Sequence, residues 1–215
     1  MREQGSGAER LEQRKAKRRQ EILDVAARLF ATQGYDGTTA EAIAAAVHLT
    51  KSALYTYVGS KEEIAVLLLE SVVNQLIEVS DEIEAQGGSP RHKLWTLIVR
   101  HVEVLGNHPA SSLLFLHSEH ILAPDRYPNL YARRDYYETR IRQWIQDGVD
   151  REQFAVENVK LAGFMLLGSI NWVIRWYSPR GLLPSQSIGQ AYASMLLGGL
   201  AHPLASDPEK EHSND

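Results

Sequence analysis

The sequence predicts an all-α protein, with a small N-terminal three-helix head followed by a larger helical body, about nine helices in all. Three observations carry this expectation. Apolar residues recur at helical spacing through most of the chain. Those stretches are punctuated by helix-stopping groups such as Gly87-Gly88, Asn107-His108-Pro109 and Gly148. The segment Thr38 to Lys61, TTAEAIAAAVHLTKSALYTYVGSK, reads as two short helices joined by a tight turn, with hydroxyl, basic and tyrosine side chains crowded onto the second.

Taken in order, residues 1–13 are rich in Gly, Ser, Glu and Gln and read as a disordered arm. Arg14, Lys15, Lys17, Arg18 and Arg19 follow as a dense basic cluster, suited to neutralising phosphates or simply to solvating a helix start. Ile22, Val25, Ala26, Leu29 and Phe30 give the first helix its apolar stripe, and Gly34 is placed to end it. Thr38 or Thr39 caps the second helix, whose buried side is Ile43, Ala44 and Val47. His48 and Leu49 make the turn. Thr50 caps the third helix, Lys51 to Tyr57, with Leu49 and Leu54 inward and Thr50, Lys51, Ser52, Thr56 and one edge of each tyrosine left to a partner, as in a helix lying in a major groove. Of the tyrosines, Tyr55 is expected to be the more buried and Tyr57 the one nearer a phosphate. Ser60 caps a long helix to about Ala85, whose N-terminus beside Lys61 offers amides and charge to one phosphate.

Beyond it, Ser89-Pro90 starts a helix carrying Leu94, Leu97, Ile98, Val102 and Leu105. Another holds Leu113 to Leu116 and Ile121, and one runs from Leu130 to about Asp147. The last two, Leu161 to Tyr177 and Ile188 to Leu200, are apolar on so many sides that pairing with a second copy is the economical way to cover them. The other reading is a pair of internal core helices. The domain boundaries expected are 14–62 for the reading head, 63–203 for a ligand-binding and dimerisation domain, and 204–215 for a disordered tail.

Composition bounds the function. The chain has 215 residues, 44% of them hydrophobic, no cysteine and a formal charge of −4. Residues 1–62 carry 10 Lys/Arg against 8 Asp/Glu, whereas residues 63–215 carry 13 against 19, so the basic excess sits with the head. A purely electrostatic DNA-coating protein needs more positive charge than this. No apolar run reaches the length of a membrane span and the charged N-terminus has no signal-peptide core, which points to the cytoplasm and to no membrane partner. The histidines lack a metal-ligand spacing, and Ser118, Glu119, His120 and Asp125 do not converge as catalytic groups would, so neither metal, cofactor nor enzyme activity is expected.

The run RRQEILDVAARLFATQGYDGTTAEAIAAAVHLTKSALYTYVGSKEEI resembles the DNA-binding domain of the TetR family of bacterial transcriptional regulators, from the basic arm to the closing Leu-Tyr-x-Tyr-x-x-Ser-Lys-Glu. The resemblance implies DNA contacts, mostly to phosphate, at Thr39, Thr50, Lys51, Tyr55, Tyr57 and Lys61. With Arg14, Lys17, Arg18 and Ser52 these form the DNA-binding set. His48 and Ser52 stand where the family usually has Gly, and Val58 where it often has Phe. SINWVIRWYSPRGLLP resembles the TetR-like repressors of fatty-acid or steroid breakdown, which implies an acyl-CoA thioester as effector. Arg100, His101, His117, Arg140, Asn171, Trp172, Arg175 and Trp176 are the ligand-binding candidates, the α-helical tryptophans and Asn171 serving equally well as interface or core. The expected protein is a homodimeric, ligand-responsive regulator, most simply a repressor of a palindromic double-stranded DNA operator. A regulator of efflux or detoxification sensing aromatic or drug-like compounds is the alternative.

Overall fold

The structure, a computed structural model, describes the backbone of residues 3–115 and 122–201, with side chains from residue 7 onward except at 115. Its elements are α1 (Glu3–Gly37), α2 (Ala40–Ala46), α3 (Lys51–Val58), α4 (Lys61–Gln86), α5 (Pro90–Asn107), α6 (Pro109–Phe115), α7 (Pro128–Asp150), α8 (Val159–Trp176) and α9 (Ser185–Ala201). Among the described residues there is no strand. Two compact units emerge, residues 1–74 with 108–131 and residues 75–107 with 132–215. The first thus takes in the start of α4 and the segment around α6, beyond the boundary expected at residue 62.

In the first unit, α1 buries Ile22, Ala26, Ala27 and Phe30, α2 buries Ala40, Ile43 and Ala44, and α3 buries Leu54 and Val58. Short helices of seven and eight residues hold only because these stripes meet one another. Their ends are capped as side-chain chemistry dictates. Thr39 Oγ1 accepts from the Ala42 amide at 3.1 Å, Thr50 Oγ1 from Ala53 at 3.2 Å and Ser60 Oγ from Glu63 at 3.1 Å. Gly34 breaks α1 with a φ of 76°, and His48 takes a φ of 55° in the turn between α2 and α3. A histidine in that left-handed region is strained relative to the Gly expected from the resemblance.

The arm departs from its expectation. Backbone helix runs back to Glu3, where disorder was expected for residues 1–13. Residues 7–17 are exposed throughout, so this extension is maintained by its own helical pairs, such as Lys15 with Glu12 at 3.1 Å, on a run rich in Glu, Arg, Leu and Gln.

In the second unit, α5 buries Leu94, Leu97, Ile98, Val102 and Leu105, and α7 buries Tyr137, Ile141, Trp144 and Ile145. Trp144 Nε1 donates to Glu84 at 2.6 Å, and Lys93 reaches the same carboxylate at 2.9 Å, its hydrogen bond holding that carboxyl below the usual range. Gly189 brings α9 against α5 so closely that a Cβ there would lie 2.8 Å from Val99 Cα. Gly148 does not stop its helix as expected. α7 continues to Asp150, the left-handed residue is Glu152 (φ 58°), and Gly148 instead makes room for the Phe154 ring, 2.1 Å from where its Cβ would be.

Candidate nucleic-acid interface and effector site

The spacing of Leu54 and Val58 decides which way α3 faces. With both buried, Thr50, Lys51, Ser52, Tyr55 and Thr56 turn to solvent as one polar surface. Lys51 lies 2.8 Å from Glu41 of α2 and 5.9 Å from the centroid of the Tyr55 ring. The hydrogen bond from Lys51 holds the Glu41 carboxyl below the usual range, and Glu41 in turn raises the Lys51 ammonium. Thr56 donates to the Ala53 carbonyl at 2.7 Å. The tyrosines reverse the expected order. Tyr55 is 36% exposed, one turn from Lys51 on the outer face, whereas Tyr57 is half-buried at the edge of the Leu54–Val58 stripe.

Of the remaining DNA-binding candidates, Arg14, Lys17 and Thr39 are exposed, Thr39 with its hydroxyl committed to the α2 cap. Arg18 and Lys61 are tied into the head. Arg18 donates to the Val47 carbonyl and to Glu21 at 2.7 Å. Lys61 Nζ donates to the carbonyls of Tyr35 and Thr38, each at 3.0 Å, and sits 4.1 Å from the Tyr35 ring centroid. Burial, then the negative Glu62, push the Tyr35 phenol up to about 12. Glu62 is itself bound by Arg126 at 3.0 Å.

In the second unit, the structure brings two of the ligand candidates together and adds a third residue. His101 is 1% exposed on α5, with Nε2 2.9 Å from Asn171 Oδ1 on α8 and Nδ1 2.9 Å from the Tyr137 hydroxyl on α7. Because Oδ1 only accepts, Nε2 carries the imidazole proton, and the Tyr137 hydroxyl donates to Nδ1. Burial pushes the imidazole down to about 4, so it is neutral, and the same burial raises Tyr137. Tyr137 was missed in the sequence, although it lies on the stripe Leu130, Tyr137, Ile141, Trp144 that marks the inner face of α7.

The other candidates do not join this trio. Arg100 is exposed beside Glu82 (3.6 Å) and Glu103 (3.8 Å). Arg140 is held by Asp81 at 3.1 Å, by the Ser80 carbonyl at 3.4 Å and by Tyr136. Trp172, Arg175 and Trp176 are exposed, because the buried stripe of α8 is Ala162, Leu166, Ile170, Val173 and Ile174, and they occupy its opposite side with Leu161 and Met165. His117 lies outside the described residues.

Comparison with known proteins gives this geometry a family. Residues 22–68 match the family of bacterial regulatory proteins, tetR family, and residues 87–200 match the tetracyclin repressor-like C-terminal domain. The chain is 31% identical over 195 residues to the HTH-type transcriptional repressor KstR2 of Rhodococcus jostii, covering 88% of this chain and 94% of that protein. It superposes on the ketosteroid transcriptional regulator KstR2 of Mycobacterium tuberculosis with a TM-score of 0.80 at 26% identity, over 86% of this chain and 95% of that one. It also shares its fold with AibR, solved in complex with isovaleryl coenzyme A and operator DNA, with a TM-score of 0.74 at 24% identity over 84% and 98% of the two chains. With the head's exposed α3 and an all-helical C-terminal domain both matched, the chain belongs to the TetR family of bacterial transcriptional regulators and is a ligand-responsive, DNA-binding repressor, not an enzyme.

Proposed function

We propose that the protein acts in the cytoplasm as a homodimer that holds a palindromic operator and releases it when a hydrophobic effector, an acyl-CoA thioester, occupies the C-terminal domain. The observation that carries the DNA half is the outward surface of α3, where Thr50, Lys51, Ser52 and Tyr55 stand over a buried Leu54. Ser52 and Lys51 read bases; Arg14, Lys17 and Tyr57 meet phosphate. Among the described residues no helix is long and apolar enough to cross a membrane.

The dimer is argued from α8 and α9. Trp172 is 57% exposed and Met195 66%, and Leu161, Met165 and Trp176 extend the same apolar side of α8. A continuous apolar surface on two adjacent helices suits a two-fold partner, and a two-fold protein matches a palindrome. The effector reading is supported by the relation to the KstR2 repressors and by the His101–Tyr137–Asn171 trio, a buried polar group among apolar helices of the kind that orients one end of a lipophilic ligand.

The experiment is a gel shift on the duplex that the protein selects from a random-sequence pool, with a panel of acyl-CoA thioesters of increasing chain length and free CoA as control. Release by a thioester and not by CoA is expected. Release by none of them sinks the acyl-CoA assignment and leaves an aromatic or drug-like effector.

A further inference from the structure

Two of the cations nominated as phosphate ligands are already engaged inside the head. Lys61 offers three N–H groups; two go to the carbonyls of Tyr35 and Thr38, and the face of the Tyr35 ring covers a further side of the ammonium. These carbonyls belong to the turn immediately before Thr39, the N-cap of α2. Thr38 is itself fully buried and donates its hydroxyl to the Gly34 carbonyl at 2.8 Å, so the turn that Lys61 fastens is otherwise rigid. Arg18 serves the opposite end. Its guanidinium donates to the carbonyl of Val47, the C-cap of α2, while Glu21 fixes it from one turn along α1.

The helix between these two fastenings has seven residues and is too short to be stable by itself. It is also the helix against which α3 packs and from which Glu41 reaches Lys51. A cation from α4 pins its start, and a cation from α1 pins its end. We propose that Lys61 and Arg18 are positioning residues for DNA binding: they set α2, and through it the reading surface of α3, without contacting phosphate. This rests on the DNA-binding function of the head and reassigns two of its expected contacts; Arg14 and Lys17, which are exposed, remain the phosphate-binding cations of α1.

Salt dependence separates the two roles, because each phosphate contact adds about 0.9 to the slope of log affinity against log salt. The probes are the duplex that the wild-type protein selects from a random pool and an unrelated duplex of equal length. For Lys61→Met and Arg18→Met, affinity for the selected duplex should fall on the order of tenfold with an unchanged slope, while binding to the unrelated duplex stays as in the wild type. Lys17→Ala should lower the slope by about 0.9 on both duplexes. In the DNA-free protein, amide hydrogen exchange over residues 39–46 should speed up in both Met variants and not in Lys17→Ala. A slope reduced by about 0.9 with α2 exchange unchanged would overturn the proposal, as would wild-type affinity in both Met variants. If Lys61→Met does not fold, Arg18→Met carries the same comparison. If the wild-type protein selects no duplex, the DNA-binding function fails, and the exchange measurement still judges the two fastenings.

Discussion

The buried imidazole of His101 makes stability depend on pH in a way that can be worked out in advance. In the folded chain its pKa is pushed down to about 4 from an ordinary 6.5, because the trio of His101, Tyr137 and Asn171 supplies no counter-charge to a proton taken up in the interior. The unfolded chain therefore binds the proton first as pH falls. The sign follows: the stability is fully present above pH 6.5 and is lost between there and pH 4. At pH 5 the loss from this one group is about 2 kcal/mol, or roughly 4–8 °C in melting temperature for a chain of this length. Other histidines and the carboxylates titrate over the same range, so the assay is a difference. Thermal unfolding of the wild type and of His101→Leu is followed by circular dichroism at pH 7.5 and 5.0. The variant should start lower at pH 7.5, by about 1–3 kcal/mol, since the Tyr137 hydroxyl and Asn171 lose their partner. It should then lose about 2 kcal/mol less than the wild type on acidification. Parallel losses in the two proteins would show that His101 is not held neutral by burial.

Three further outcomes test other parts of the structure. Gly189→Ala places a Cβ 2.8 Å from Val99 Cα, which is backbone and cannot swing away, and should cost about 1–3 kcal/mol in urea unfolding; an unchanged midpoint would mean α5 and α9 are farther apart. His48→Gly removes a side chain from a left-handed residue and should raise stability by about 0.5–1 kcal/mol despite the entropy of glycine, so a lower melting temperature would contradict the strain assigned to that turn. Trp172→Glu puts a charge on the outer apolar side of α8 and should convert a dimer to a monomer in sedimentation velocity with little change in helical content; a dimer that persists would move the interface elsewhere.

Local chemistry was legible and long-range chemistry was not. Thr39, Thr50 and Ser60 could be recognised as caps because the interaction closes within three residues, and the turn at His48 follows from the spacing of the apolar positions around it. The bonds of Lys61 reach back 23 and 26 residues, and that of Arg18 reaches forward 29, so no periodicity could announce them. The order of Tyr55 and Tyr57 was misjudged because both flank Leu54, and only the actual tilt of α3 distinguishes the edge of a stripe from its opposite side. For the same reason Trp172 and Trp176 were grouped with Asn171 by proximity in sequence. The structure sends the tryptophans outward and keeps Asn171 on His101.

The ion pair between Lys51 and Glu41 gives the reading head a built-in competitor. Glu41 occupies the seat at Lys51 that a nucleic-acid acceptor would take, at 2.8 Å and fully in solvent. Any DNA that engages Lys51 must first evict the carboxylate, and it must then tolerate that carboxylate nearby as an unpaired negative charge. A stray phosphate offers one acceptor in exchange and gains little. A matched base step offers Lys51 a better acceptor while giving Glu41 an exposed amino group of cytosine or adenine to accept from. The pair thus acts as a threshold against unspecific engagement, and removing Glu41 should make the head stickier toward all DNA before it makes it any more discriminating.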